Sequence, residues 1–172
     1  MLNILIIGGL SKGDDDFERQ DNFSWRRLDG VLNNRFTQTK TKAGWVFVED
    51  FLVEHLKHII DATGAEVVLS STWRWGHWAH GTDRDDYLEL IDKLASFGIK
   101  IKDITPAFST PDREEEILWW LEHRHDGGNF VILDDVDYFV ELHDHLVKTD
   151  PDLGLTLKDV KKAIEILNRE AE

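Results

Sequence analysis

Apolar residues fall along the chain in short bursts of two kinds, runs of four to six and stripes at helical spacing. Residues 3–8 (NILIIG) form a β-branched run that ends in Gly-Gly, the pattern of a buried strand. Residues 11–27 are polar and read as an irregular loop. Residues 48–63 carry Val48, Phe51, Leu52, Leu56, Ile59 and Ile60 on one helical stripe, with Gly64 where a C-terminal cap belongs. A second strand follows at 65–71 (AEVVLSS). A second helix is expected over 82–97, with Leu88, Ile91, Leu94 and Ala95 inward and Gly98 as its stop.

Residues 99–104 (IKIKDI) alternate and predict a short strand. A third helix is expected to open with Thr110 as N-cap and Pro111 at its first position, running through Ile117, Leu118 and Leu121. Residues 130–133 (FVIL) are the plainest buried strand. A fourth helix is expected after Asp135, and Thr156 with Asp159 opens a last one containing Val160, Ala163, Ile164 and Leu167. Strand and helix in alternation predict one α/β domain of the doubly wound kind over 1–172, with a mainly parallel sheet and no large cap domain.

Composition narrows the function classes. Twenty Lys+Arg against 34 Asp+Glu give a net charge of −14, which argues against general nucleic-acid binding, where phosphate neutralisation supplies most affinity. Without cysteine the chain has no thiol nucleophile and no Cys-ligated zinc, in keeping with a cytoplasmic setting. The longest apolar run falls well short of the ~20 residues of a membrane span, so neither membrane insertion nor export is expected. The oligomeric state is left open.

In open α/β sheets ligands bind beyond the carboxyl ends of the strands. That rule selects Ser70, Ser71, Thr72 and Arg74, then Asp103 and Thr105, then Asp134 and Asp135. Hydroxyls beside an arginine suit a phosphate. Adjacent acids after an apolar strand need a partner. Magnesium would serve; alternatively Asp135 caps the next helix and Asp134 pairs with Arg113 or Arg74. Trp73, Trp75 and Trp78 follow the phosphate-type turn as candidates for stacking on a nucleobase or as a flap on the domain itself. The acidic run Glu114 to Glu116 reads as a solvated helix face, and of Trp119 and Trp120 one should face the core.

The segments DGVLN (29–33), VVLSSTWR (67–74), DREEEILWWL (112–121) and VILDD (131–135), with KTDPDLGLT at 148–156, resemble the haloacid dehalogenase (HAD) superfamily. They are most similar to the HAD domain of Swiss Army knife RNA repair proteins, over about residues 28–167. The resemblance implies a Rossmann-like sheet and magnesium-dependent phosphoryl chemistry. Its first motif is Asp-x-Asp, with the first Asp attacking phosphorus and the second acting as acid and base. By that resemblance Asp29 matches the acid/base, Ser70 or Ser71 the phosphate hydroxyl, Arg113 the cation of the third motif, and Asp134 and Asp135 the metal acids. The position two before Asp29 is Arg27, a cation where the attacking carboxylate belongs. If residues 3–8 (NILIIG) are instead the motif's strand, the following Gly8-Gly9-Leu10 offers no carboxylate either, and the Asp-x-Asp of Asp14 and Asp16 is separated from that strand by Ser11-Lys12-Gly13.

The expected function is therefore a HAD-like domain that binds a small phosphorylated ligand such as a nucleotide, with hydrolysis impaired or absent. Arg27, Arg74 and Arg113 would converge on the phosphate. The alternatives are a magnesium-dependent phosphohydrolase, acting on a nucleotide or a nucleic-acid end, and a protein-interaction module with a vestigial pocket.

Overall fold

The computed structural model describes residues 3–9, 29–109 and 112–169. Five strands, β1 (Ile4–Ile7), β2 (Glu66–Leu69), β3 (Ile101–Ile104), β4 (Phe130–Asp134) and β5 (Leu146–Lys148), form one sheet in the order β3-β2-β1-β4-β5. Every pairing between them is parallel. The helices are α1 (Asp50–Thr63), α2 (Thr82–Ser96), α3 (Arg113–Arg124) and α4 (Leu157–Leu167).

A parallel sheet covered on both faces needs strands that are apolar throughout. β1 meets this fully, since all four of its residues are buried. Leu5, Ile7, Val67, Leu69, Val131 and Leu133 pack with residues of α1, α2 and α4 on one face. Ile4, Ile6, Val68 and Ile132 pack with Ile117 and Trp120 of α3 on the other, together with Phe139, Leu142 and Leu146. The strand order reverses between β1 and β4, which makes their carboxyl ends the crevice where such sheets take ligands.

Local signals explain the helix ends. Gly64 closes α1 at φ 66°, a left-handed conformation that costs a glycine little. Thr156 and Asp159 form the expected reciprocal capping box of α4. Three expectations are corrected. The inward stripe of α2 is Tyr87, Leu90 and Leu94, while Leu88 and Ala95 are exposed, a phase error that follows from leaving Tyr87 out of the apolar pattern. The cap of α3 is Asp112, whose side chain accepts the Glu115 N–H at 3.1 Å; Thr110 and Pro111 lie outside the described residues.

No α-helix starts directly after Asp135, as residues 135–142 are irregular. Glu114 on α3 takes the backbone N–H groups of Val140, Glu141 and Leu142 at 3.0, 2.7 and 2.8 Å, holding that stretch open. A short 3₁₀ turn (His143–His145) then leads into β5. No helix among the described residues is long and apolar enough to cross a membrane.

Candidate functional site

β1 delivers the chain to the crevice as Gly8 and Gly9. The Gly8 N–H bonds to Leu133 O at 2.8 Å, and the Gly9 N–H donates to Asp134 Oδ2 at 2.9 Å. Asp134 closes β4 with no exposed surface. Its Oδ2 also accepts from Arg113 Nη1 at 3.0 Å, and its Oδ1 accepts the Val136 N–H at 3.1 Å. One carboxylate thus collects three donors. A Cβ on Gly8 would lie 1.8 Å from Asp134 Oδ2 and 3.0 Å from Arg113 Nη1, so this buried ion pair occupies the space that a side chain at position 8 would need.

Asp29 returns the chain to the same place. A Cβ on Gly9 would fall 2.1 Å from Asp29 O, so the two backbones are in contact. Asp29 Oδ1 accepts the N–H groups of Val31, Leu32 and Asn33 at 2.9, 2.8 and 3.2 Å, and the Asp29 N–H donates to Asn33 Oδ1 at 2.9 Å. Burial pushes the Asp29 carboxyl up to about 6 in spite of these donors and a hydrogen bond from the Trp73 side chain. Gly30 has φ 61°, and a Cβ there would lie 2.6 to 2.8 Å from side-chain atoms of Asp135. Only glycine fits that position. The glycines therefore let Asp29, Asp134 and Asp135 gather at the β1/β4 crevice.

β2 supplies the next wall. Thr105 Oγ1, just past β3, donates to Ser70 Oγ at 3.0 Å. Arg74 folds back onto Ser70 O and Ser71 O and pairs with the buried Glu116 of α3. Burial draws its guanidinium down to about 10, with Glu116 opposing, and it feels the charge of Arg113. Arg74 thus gives Nη2 to Glu116 and Nη1 to the two carbonyls, and Arg113 gives Nη1 to Asp134. Arg74 Nε, Arg113 Nε and Ser71 Oγ are buried and have no acceptor among the described residues. The half-exposed Tyr138 interacts electrostatically with both arginines and with Asp134 and Asp135, which puts its phenol beside the crevice.

The remaining candidates divide. Trp75 and Trp78 stand about half exposed in and just after a 3₁₀ segment (Thr72–His77), whereas Trp73 is 3% exposed and packs edge-on against Phe47 at 5.9 Å. Trp73 is thereby removed from the stacking set, because no ligand ring reaches a face inside the core. Asp103 is tied to Trp120 and Arg124. Trp120 is the core-facing member of its pair, and Trp119 stacks on His123. Arg27 lies outside the described residues, as do Asp14 and Asp16.

The family described as the HAD domain in Swiss Army Knife RNA repair proteins matches residues 28–160. This chain belongs to that family. Neither curated proteins nor solved structures give a match. The HAD match opens at the Asp29 segment, after β1, so the central strand precedes the matched span and reaches it through residues 10–28.

HAD domains generally use magnesium, and the fit of the donors here can be tested against that. Magnesium takes hard oxygen ligands at about 2.0–2.1 Å in near-octahedral array. Asp134 meets it with both oxygens engaged, one of them on a guanidinium, and Asp29 Oδ1 already faces three N–H groups. As they stand, Asp134 and Asp29 Oδ1 do not fit the ion.

Sequence reasoning passed over Glu116 and over the contact of Gly8 with Asp134, having noted only that Gly8-Gly9-Leu10 brings no carboxylate. Glu116 is 2% exposed and anchors Arg74, so the acidic run is not a uniformly solvated face. The available signal was its place in the first turns of α3, on the same side as Arg113 and Ile117. Gly8 gave none, because its meaning depends on Asp134, far away along the chain.

Proposed function

We propose that this HAD domain binds a small phosphorylated ligand, a nucleotide foremost, without hydrolysing it through an aspartyl-phosphate. The observation that carries the reading is a group of three buried donors without acceptors among the described residues, Ser71 Oγ, Arg74 Nε and Arg113 Nε. Each unsatisfied buried donor costs about 1–3 kcal/mol, and more when it is charged. A terminal phosphate brings several acceptor oxygens at once. The half-exposed Trp75 and Trp78 next to Arg74 support a base-bearing ligand, since stacking adds ~1–3 kcal/mol per ring.

The loss of the nucleophile rests on Gly8. Gly9 lies against the Asp29 backbone; on our reading Gly8 therefore stands for the position two ahead of the acid/base, and it brings no carboxylate. The altered position is then read at Gly8, while Arg27 lies outside the described residues. Removal of a nucleophile cost about 10⁶ in rate in a well-studied protease.

Thermal unfolding with inorganic phosphate and a panel of nucleotides tests the binding half. A ligand at about 100 times its Kd adds about 2.7 kcal/mol, a rise of several degrees for a chain of this size. No shift with any phosphorylated compound refutes it. The rival is a working magnesium-dependent phosphohydrolase, favoured by an Asp29 carboxyl near 6, well placed for general acid–base work. Turnover of an aryl phosphate that vanishes in Asp29→Asn would establish that rival.

A further inference from the structure

We infer that the Arg113 guanidinium fills the place of the divalent cation in this chain, so that the site works without metal. That the ligand is phosphorylated rests on the reading above; the statement about the cation does not.

Asp134 carries the argument. It is fully buried at the end of β4, and its two oxygens are met by Arg113 Nη1 at 3.0 Å, by the Gly9 N–H at 2.9 Å and by the Val136 N–H at 3.1 Å. Buried carboxylates need a counter-charge. Here it is supplied covalently, from the first residue of α3, and Arg113 is itself only 4% exposed. A divalent ion at Oδ2 would have to displace the guanidinium and then sit beside its positive charge.

Of the neighbouring acids, Asp135 lies against Gly30 and Asp29 gives no help. Asp29 Oδ1 is ringed by three backbone N–H groups. The residue that should add a carboxylate from β1 is Gly8, and a Cβ there would collide with Asp134 Oδ2 at 1.8 Å. The loss at position 8 and the inward position of Asp134 are thus one change. Without a side chain at Gly8, the Asp134 carboxylate moves against the β1 backbone and takes the Gly9 N–H, where Arg113 reaches it. Among the described residues no three acids or histidines converge as ligands.

The test uses Mn²⁺ as the probe, read by the loss of the free-ion EPR signal on titration with the whole chain. The expected result is no site tighter than about 1 mM in the native chain, and no change in Asp134→Asn. Arg113→Met should tighten Mn²⁺ binding at least about tenfold by freeing Oδ2. The shift in Tm caused by inorganic phosphate or a nucleotide should be the same in EDTA as in magnesium. A micromolar Mn²⁺ site in the native chain that Asp134→Asn abolishes overturns the inference, and needs no folded Arg113 variant to do so. If no phosphorylated compound shifts Tm in either buffer, the ligand reading falls while the Mn²⁺ titration still decides the cation.

Discussion

Replacing Asp29 by Asn should abolish the pH dependence of one part of the stability. Asp29 is 3% exposed, and burial raises its carboxyl from the usual 3.8 to about 6. At roughly 1.36 kcal/mol per pKa unit that rise corresponds to about 3 kcal/mol. The folded chain holds this proton more tightly than the unfolded chain. Between 3.8 and about 6 the native state therefore binds more protons, and the contribution falls as pH rises. It is fully present below 3.8 and lost above about 6. An asparagine side chain keeps an Oδ1 to accept the N–H groups of Val31, Leu32 and Asn33, but it never ionises. Losing the Trp73 hydrogen bond offsets part of the gain by an amount that changes little with pH. Urea unfolding at a series of pH values, followed by tryptophan fluorescence, reads the effect. The stability of the Asp29→Asn variant minus that of the native chain should climb by about 3 kcal/mol from about pH 3.5 to about pH 7.5, because all other titrating groups cancel. Parallel profiles would show that the Asp29 carboxyl is not raised and would remove the argument.

Gly8→Ala should destabilise the chain by about 1–3 kcal/mol through overpacking, since its methyl meets Asp134 Oδ2. In an Asp134→Ala background the cost should largely vanish, and an additive double-mutant cycle would contradict the collision. Glu116→Gln leaves the buried Arg74 charge unpaired and should cost about 3 kcal/mol or more in urea unfolding; a loss under about 1 kcal/mol would mean that the pair is not formed. Trp75→Ala or Trp78→Ala should weaken a nucleotide about five- to tenfold while leaving inorganic phosphate unchanged, measured by calorimetry. Equal losses for both ligands would point to a packing role for the rings.

The sheet was legible because its strands are buried on both faces: ILII, EVVL and FVIL carry no polar residue but Glu66, at the rim. The caps of α1 and α4 were legible too, as Gly64 and the Thr156/Asp159 pair act within a few residues of themselves. β5 was not, because Leu146 and Val147 are too few to set a period and the stretch before them is held by Glu114 from another element. At the site, Ser70, Arg74 and Asp134 follow from strand ends, whereas Asp29 was legible only through the family resemblance, and Arg113 through it or as a partner for Asp134. Which charge answers which was open: Asp134 chose Arg113, and Arg74 took Glu116, a residue assigned to solvent. The importance of Gly8 is invisible along the chain, since it is defined by atoms more than a hundred positions away.

The position of β1 bears on how this domain can be cut. Among the described strands, β1 alone joins the β2/β3 half of the sheet to the β4/β5 half by pairing, through four residue pairs on each of its flanks. A fragment trimmed to the family match, from residue 28 onward, discards that strand and leaves two separate ribbons with bare inner edges. Such a piece should aggregate, whereas adding back a short peptide spanning 1–9 offers each ribbon the edge it lacks.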